Sequence, residues 1–266
     1  EEKDEKKVYE MYYDYTEAVK TAASHRILAI NRGEKEGVLA VKIETDNERL
    51  KNIVRRKVVN KNSNTAHILE EIIDDSLKRL IMPSVEREIR NSLTETAEEK
   101  AISVFGKNLK QLLLQPPIKD KVVLAIDPAY RTGCKIAVID KTGKPLETGV
   151  VYPTPPQNKK EEAKKKLLSL IDKYGVELIS IGNGTASRES ELFTAEMIKE
   201  SGKNISYVIV NEAGASVYSA SKLGAEEFPE YDVSLRSAVS IGRRLQDPLA
   251  ELVKIDPKSI GVGQYQ

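Results

Sequence analysis

Residues 122–140 read VVLAIDPAYRTGCKIAVID, and no other stretch constrains the fold as tightly. VVLAID is a nearly unbroken apolar run, the pattern of a central strand buried on both faces. An acid, Asp127, closes it. A short polar insert, Asp127 to Gly133, leads to a second apolar run, CKIAVID. PLETGVVYP follows after the turn sequence Lys141-Thr142-Gly143-Lys144. Three strands with short links predict an antiparallel meander.

Beyond the meander the rhythm changes to helix and strand in alternation. A Lys-rich helix is predicted from about Gln157 to Tyr174, then strand ELISIG, a helix after Thr185, strand ISYVIV, and helices to the end. A meander followed by alternating α and β is the ribonuclease H-like order, an α/β mixed sheet flanked by helices. The doubly wound dinucleotide fold is excluded, because no Gly-x-Gly-x-x-Gly follows the first strand.

Residues 1–120 read as a mostly helical scaffold. Ser24 is a candidate N-cap for a helix to about Glu36, where Gly37 stops it. VLAVKIE, Val38 to Glu44, alternates like a strand. NERLKNIVRRKVV and TAHILEEIIDDSLKRLIM carry apolar residues at helical spacing. Pro83 is expected to open a new helix that runs to about Leu114, and the QPP at 115–117 ends it. A domain boundary is placed there. Tyr9, Tyr12, Tyr13 and Tyr15 stand among acids and lysines and read as one face of a surface helix.

The formal net charge of the 266 residues is +1, and neither half of the chain is a polycation. Nucleic-acid binding would need a local patch, not bulk charge. The single cysteine, Cys134, excludes an internal disulfide and any cysteine-cluster metal site; it begins a strand and reads as a small core residue. His25 and His67 lie far apart in sequence and do not suggest zinc. The N-terminus is charged, and no apolar run approaches the ~20 residues a membrane helix needs. A cytoplasmic protein without a membrane partner is expected.

AIDPAYRTGCKIAVID, YPTPPQ, IGNGTASRESE, NEAGASVYSAS and SAVSIGRRLQDPLAELVKIDPKSIGVGQYQ occur in that order, preceded by SHRILAINRGEKEGVL. Together they resemble the Tex family of bacterial transcription accessory proteins over essentially the whole chain. One departure is Pro128-Ala129-Tyr130, where many members have Pro-Gly-Phe. The resemblance implies a YqgF/RuvC-type ribonuclease H-like domain at 121–250 behind a helical scaffold at 1–120. It implies that 251–266 begins a helix-hairpin-helix region, and that an OB-type RNA-binding domain lies further on, so the chain reads as a fragment. RNA or DNA, and the transcription machinery, are the implied partners.

Ribonuclease H-like nucleases hold two divalent cations, suited to Mg²⁺, with three or four converging carboxylates. Asp127, at the end of the first strand, is the first candidate; its plainer role is a turn aspartate. Where the fourth strand would supply an acid, the chain has Asn183, which either coordinates or holds the turn between Gly182 and Gly184. Thr185, at the start of the next helix, could face an anion. Glu212, after ISYVIV, is the second candidate acid by resemblance, or else an N-cap or first-turn acid on the next helix. By resemblance, Ser234 stands where the last acid belongs. Asp232 is two residues away, and Asp247 before Pro248 reads as an N-cap. Arg131 could contact phosphate or pair with Asp127 or Glu212.

Asp127 and Glu212 are thus the candidate catalytic and metal residues, and Arg131, Asn183 and Thr185 the candidate nucleic-acid contacts. The expected function is a nucleic-acid-binding, RNA-directed transcription accessory protein whose nuclease-like site is degenerate. No cofactor is certain; Mg²⁺ is implied only if the site is active. The alternatives are an active Mg²⁺-dependent nuclease or resolvase and, more remotely, an actin-like ATPase.

Overall fold

The computed structural model describes residues 4–60 and 63–260. They form two compact units, Glu1–Val104 and Phe105–Gln266.

The first unit is helical, with α1 Ser24–Lys35, α2 Asn47–Val58, α3 Ala66–Asp75 and most of the long α4, Met82–Leu113, whose last turns fall in the second unit. Asp46 caps α2, its side chain accepting from the Arg49 N–H. Ser24 is the first residue of α1 and not its cap; Ala23 occupies that position and offers no side-chain oxygen. Gly37 follows α1 with φ at 71°, the left-handed stop its position suggested.

Three further expectations for this unit fail for physical reasons. VLAVKIE forms no strand. Alternation gives it no second strand to pair with, so its donors go elsewhere. The Val38 and Leu39 N–H groups donate to the Gly33 carbonyl at 2.9 and 3.0 Å, and the Ile43 N–H donates to the Glu86 carboxylate at 2.9 Å.

The early tyrosines do not share a helix face, since only one 3₁₀ turn, Glu10–Tyr12, forms there. Tyr9 is buried, and its hydroxyl donates to Glu36 at 2.8 Å. A Cβ at Gly33 would meet the Tyr9 ring at 3.0 Å, so the glycine makes room for it.

Pro83 opens no separate helix. A π-helical turn, Ser76–Ile81, joins α3 directly to α4. The wider turn accommodates a residue that lacks an N–H and crowds the carbonyl four positions back.

In the second unit, β1 Val123–Asp127, β2 Cys134–Ile139 and β3 Pro145–Val151 form the expected antiparallel meander. Then come α5 Lys160–Tyr174, β4 Leu178–Gly182, α6 Ser187–Ser201 and β5 Ser206–Val210, followed by α7 Ala215–Ala220, α8 Lys222–Glu227, α9 Val233–Gln246, α10 Pro248–Leu252 and α11 Pro257–Ile260. The sheet order is β3-β2-β1-β4-β5, with β4 and β5 parallel to β1 and to each other in direction. Of the proposed 251–266 region, only the part through 260 lies within the described residues.

The strand period of two divides the sheet's faces. Leu124, Ile126, Cys134, Ile136, Val138, Ile179 and Ile181 face α5 and α6, where Leu167, Ile171, Phe193 and Met197 complete the larger core. Cys134 is wholly buried there. Val123, Ala125, Ala137 and Ile139 face α9, packing with Ala238, Val239, Ile241 and Leu245. This second layer is built from small residues. A Cβ at Gly242 would lie 3.0 Å from that of Ala125, so glycine lets α9 close onto the centre of the sheet. Asp247 caps α10 through the Ala250 N–H, with Pro248 at the first helical turn.

Candidate functional site

The carboxyl ends of β1, β4 and β5 lie side by side because these strands are parallel neighbours. In a sheet of this kind the strand ends bring together residues that are distant in sequence. Asp127 closes β1 and points to the α9 side, as Ala125 does two residues earlier. Its antiparallel partner on β2 is Lys135. Lys135 is buried, and its ammonium donates to the Thr132 and Gly133 carbonyls, each at 2.9 Å. Burial holds the Asp127 carboxyl above the ordinary range, against the opposing effects of a hydrogen bond from Ser237 and the Lys135 charge.

Glu212 follows β5 and reaches back to the turn after β4. That turn is a cradle. A Cβ on Gly184 would collide with the Glu212 carboxyl oxygens, its Cδ lying 2.6 Å away, and a Cβ on Gly182 would strike Oε2. The Gly184 N–H donates to Glu212. Asn183 donates its N–H to the Val210 carbonyl at 3.0 Å and accepts the Glu212 N–H on its side-chain oxygen, also at 3.0 Å. Asn183 therefore takes the turn-holding role rather than a second acid's place. Glu212 is not a cap of α7; Gly214 stands there.

Burial, then the charge of Asp127, pushes the Glu212 carboxyl up, while the Gly184 N–H and the Arg244 charge pull it down. The two acids thus share one electrostatic environment. Glu212 Oε2 is buried without a hydrogen-bond partner. Arg244, on α9, is 3% exposed and donates through Nη1 to the Asn211 and Ala213 carbonyls, both at 2.8 Å. It grips the backbone on either side of Glu212.

The other expected contacts stand at the rim. Arg131 is exposed and pairs with neither acid; Lys135 and Arg244 supply the neighbouring cations instead. Thr185 is exposed two residues before α6 begins, and the N-cap is Ala186. Ser234 does not reach Asp127. Ser237, about one helical turn further along α9, does. Asp232 caps α9 through the Leu235 N–H.

Lys135, Ser237 and Arg244 were not anticipated. A signal existed for two of them. Lys135 is a lone charge inside the apolar run CKIAVID, and Arg244 falls at helical spacing with Ile241 and Leu245 on the buried face of α9.

A two-metal centre must offset four positive charges with several carboxylates. The donor set here is two carboxyls with raised proton affinity and a serine. No group of three or more His, Cys, Asp or Glu side chains placed to hold a metal occurs among the described residues. Such a set does not fit two hard cations.

The sheet order, the acid at the end of β1 and α9 laid across the opposite face define a ribonuclease H-like domain. Residues 121–246 match the family model of the Tex protein YqgF-like domain, and residues 1–105 that of the Tex central region. The chain belongs to the Tex family. It is 57% identical over 264 residues to uncharacterized protein YdcI of Bacillus subtilis (strain 168), covering 99% of this chain and 37% of that protein. Protein tex of Bordetella pertussis is 48% identical over 270 residues, covering 96% and 34%. Human S1 RNA-binding domain-containing protein 1 is 42% identical over 266 residues, covering 96% and 26%. The chain therefore spans about a quarter to somewhat over a third of the length of these relatives. A RuvC chain from T. thermophilus in complex with a Holliday junction substrate aligns at a TM-score of 0.33 and 14% identity, over 51% of this chain and 98% of that one. At that level it carries no weight. Among the described residues no helix is long and apolar enough to cross a membrane.

Proposed function

We propose that this chain is the nucleic-acid-binding scaffold of a cytoplasmic transcription accessory protein, and that its ribonuclease H-like site binds without cutting. One observation carries this reading: each site acid has a buried protein cation acting on it, Lys135 on Asp127 and Arg244 on Glu212. These fixed cations partly offset the charge that a nuclease would reserve for its metals, and burial raises the proton affinity of both carboxyls. Metal occupancy at millimolar Mg²⁺ is therefore low, and water activation for in-line attack has no support.

Arg131, Asn183 and Thr185 are exposed around the acids and form the proposed contacts to the phosphate backbone. RNA is the favoured partner, in keeping with a relative named for its S1 RNA-binding domain. Binding by this chain alone is weak and falls steeply with salt, because it rests on few phosphate contacts.

The decisive experiment offers branched DNA, single strands and RNA to wild type and to Asp127→Asn, with Mg²⁺ and then Mn²⁺. Both proteins are expected to leave the substrates intact, and neither metal to raise the melting temperature. Repeated turnover by wild type with a dead variant would make this an active nuclease.

A further inference from the structure

We propose that the loops at the carboxyl end of β1 form a stacking platform for single-stranded nucleic acid, with Tyr130 as the aromatic surface and Arg131 and Arg188 as phosphate contacts. The inference rests on the nucleic-acid-binding reading above and assigns it a place and a strand type.

The distribution of arginines selects this rim. The second unit contains five: Arg131, Arg188, Arg236, Arg243 and Arg244. Three are committed within the fold. Arg236 donates to the Phe228 and Ser219 carbonyls, Arg243 to Gly143, and Arg244 to Asn211 and Ala213. Arg131 and Arg188 are exposed, and neither guanidinium has a hydrogen bond or ion pair among the described residues. Both stand beside Tyr130: Arg131 follows it in the chain, and Arg188 precedes Glu189, the residue that bonds the Tyr130 hydroxyl.

The platform is built, not loose. Tyr130 is 37% exposed, and its hydroxyl is anchored to Glu189 in the first turn of α6. Its loop is tied to the segment after β3 at two points. Thr154 donates to the Ala129 carbonyl at 3.0 Å, and Gln157 donates to the Arg131 carbonyl at 2.8 Å. Gly133, at φ 76°, closes the loop against the Tyr152 ring, where any Cβ would be within 2.7 Å of Cδ1. The Lys159 ammonium lies 6.0 Å from the Tyr152 ring centroid and is paired with Glu162 at 3.4 Å.

A ring fixed in this way loses little freedom when a base stacks on it, and adjacent guanidinia can follow the phosphates. Bases expose their faces only when unstacked, so the arrangement suits a single strand and not a duplex.

The test measures fluorescence anisotropy of the full chain with labelled oligo-U RNA and oligo-dT of about a dozen nucleotides, and with a duplex of equal length. Tyr130→Ala should weaken single-strand binding about tenfold, while Tyr130→Phe, which keeps the ring, stays near wild type. Arg131→Ala and Arg188→Ala should each lower the slope of log affinity against log salt by about 0.7. Lys119→Ala with Lys141→Ala, at the opposite end of the sheet, serves as the charge-loss control and should change little. Melting temperatures confirm that each variant folds. If wild type binds single strands but Tyr130→Ala binds equally well, or if the duplex binds as tightly, the platform is overturned and the broader binding reading stands. If wild type binds none of the three probes, both fall. The RNA and DNA arms identify the preferred strand.

Discussion

Asn183 accepts the Glu212 N–H on its side-chain oxygen at 3.0 Å, so the turn after β4 holds the acid that follows β5. A neutral amide at the end of the fourth strand costs the site an anion, yet it fixes where the remaining one sits. The glycines on either side of Asn183 leave the space that the Glu212 carboxyl fills.

Gly184→Ala should expel that carboxyl. The colliding atoms are the far end of a flexible side chain, so Glu212 can swing outward and the fold survives. Once solvated, Glu212 loses the burial that raises its pKa, which should fall back toward the ordinary carboxylate range. Carboxyl-detected NMR titration reads this directly. An unchanged Glu212 titration in the variant would mean that the cradle is not what holds it.

Asp127→Asn should stabilise the protein at neutral pH. The Asp127 carboxyl binds its proton more tightly folded than unfolded. Its contribution is therefore fully favourable below the unfolded value, about pH 4, and is lost as pH rises through the raised folded value. The amide removes that cost and can still accept from Ser237. A gain of about 1 kcal/mol at pH 7, or roughly 2–4 °C in melting temperature, should shrink toward zero near pH 4. The same change should lower the Glu212 pKa by removing a neighbouring charge. Melting curves across pH on both proteins decide it; a variant less stable than wild type at pH 7 contradicts the argument.

Arg244→Leu should cost about 3 kcal/mol, because it strands two backbone carbonyls and leaves Glu212 and Glu251 without the cation that acts on both. Arg244→Lys should recover only part of this, since one ammonium on a straight stem does not reproduce the planar fork. Urea unfolding measures both. Equal stability of the leucine variant would remove Arg244 from the site's support.

Asp247→Ala should cost about 1 kcal/mol by leaving the Ala250 N–H uncapped, with no effect on nucleic-acid affinity. Denaturation and anisotropy together separate this purely structural acid from Asp127 and Glu212.

Local sequence determined the elements of the second unit. Each strand of the sheet is marked by an apolar run bounded by turn residues, and the short links of the meander leave only antiparallel pairing open. Asp127 at the end of the continuous run, and Asp247 before Pro248, could be read because strand ends and caps are decided within a few residues. The first unit was less legible. VLAVKIE has strand alternation and no partner strand, and a π turn carries the helix through Pro83. Pairing and helix continuity depend on what lies alongside.

The site itself was settled by tertiary structure. Asp127 and Ser237 are separated by most of the domain, and which serine of α9 meets the acid depends on the rotation of that helix against the sheet. That rotation is set by Gly242 closing on Ala125 and Ile139, a packing contact with no local sequence signature. Lys135 and Arg244 became partners of the two acids in the same way, through strand register and helix facing. The residue types were visible in the chain; their meeting required burial of the α9 face, which removed these charges from water and left them only each other and the backbone to satisfy them.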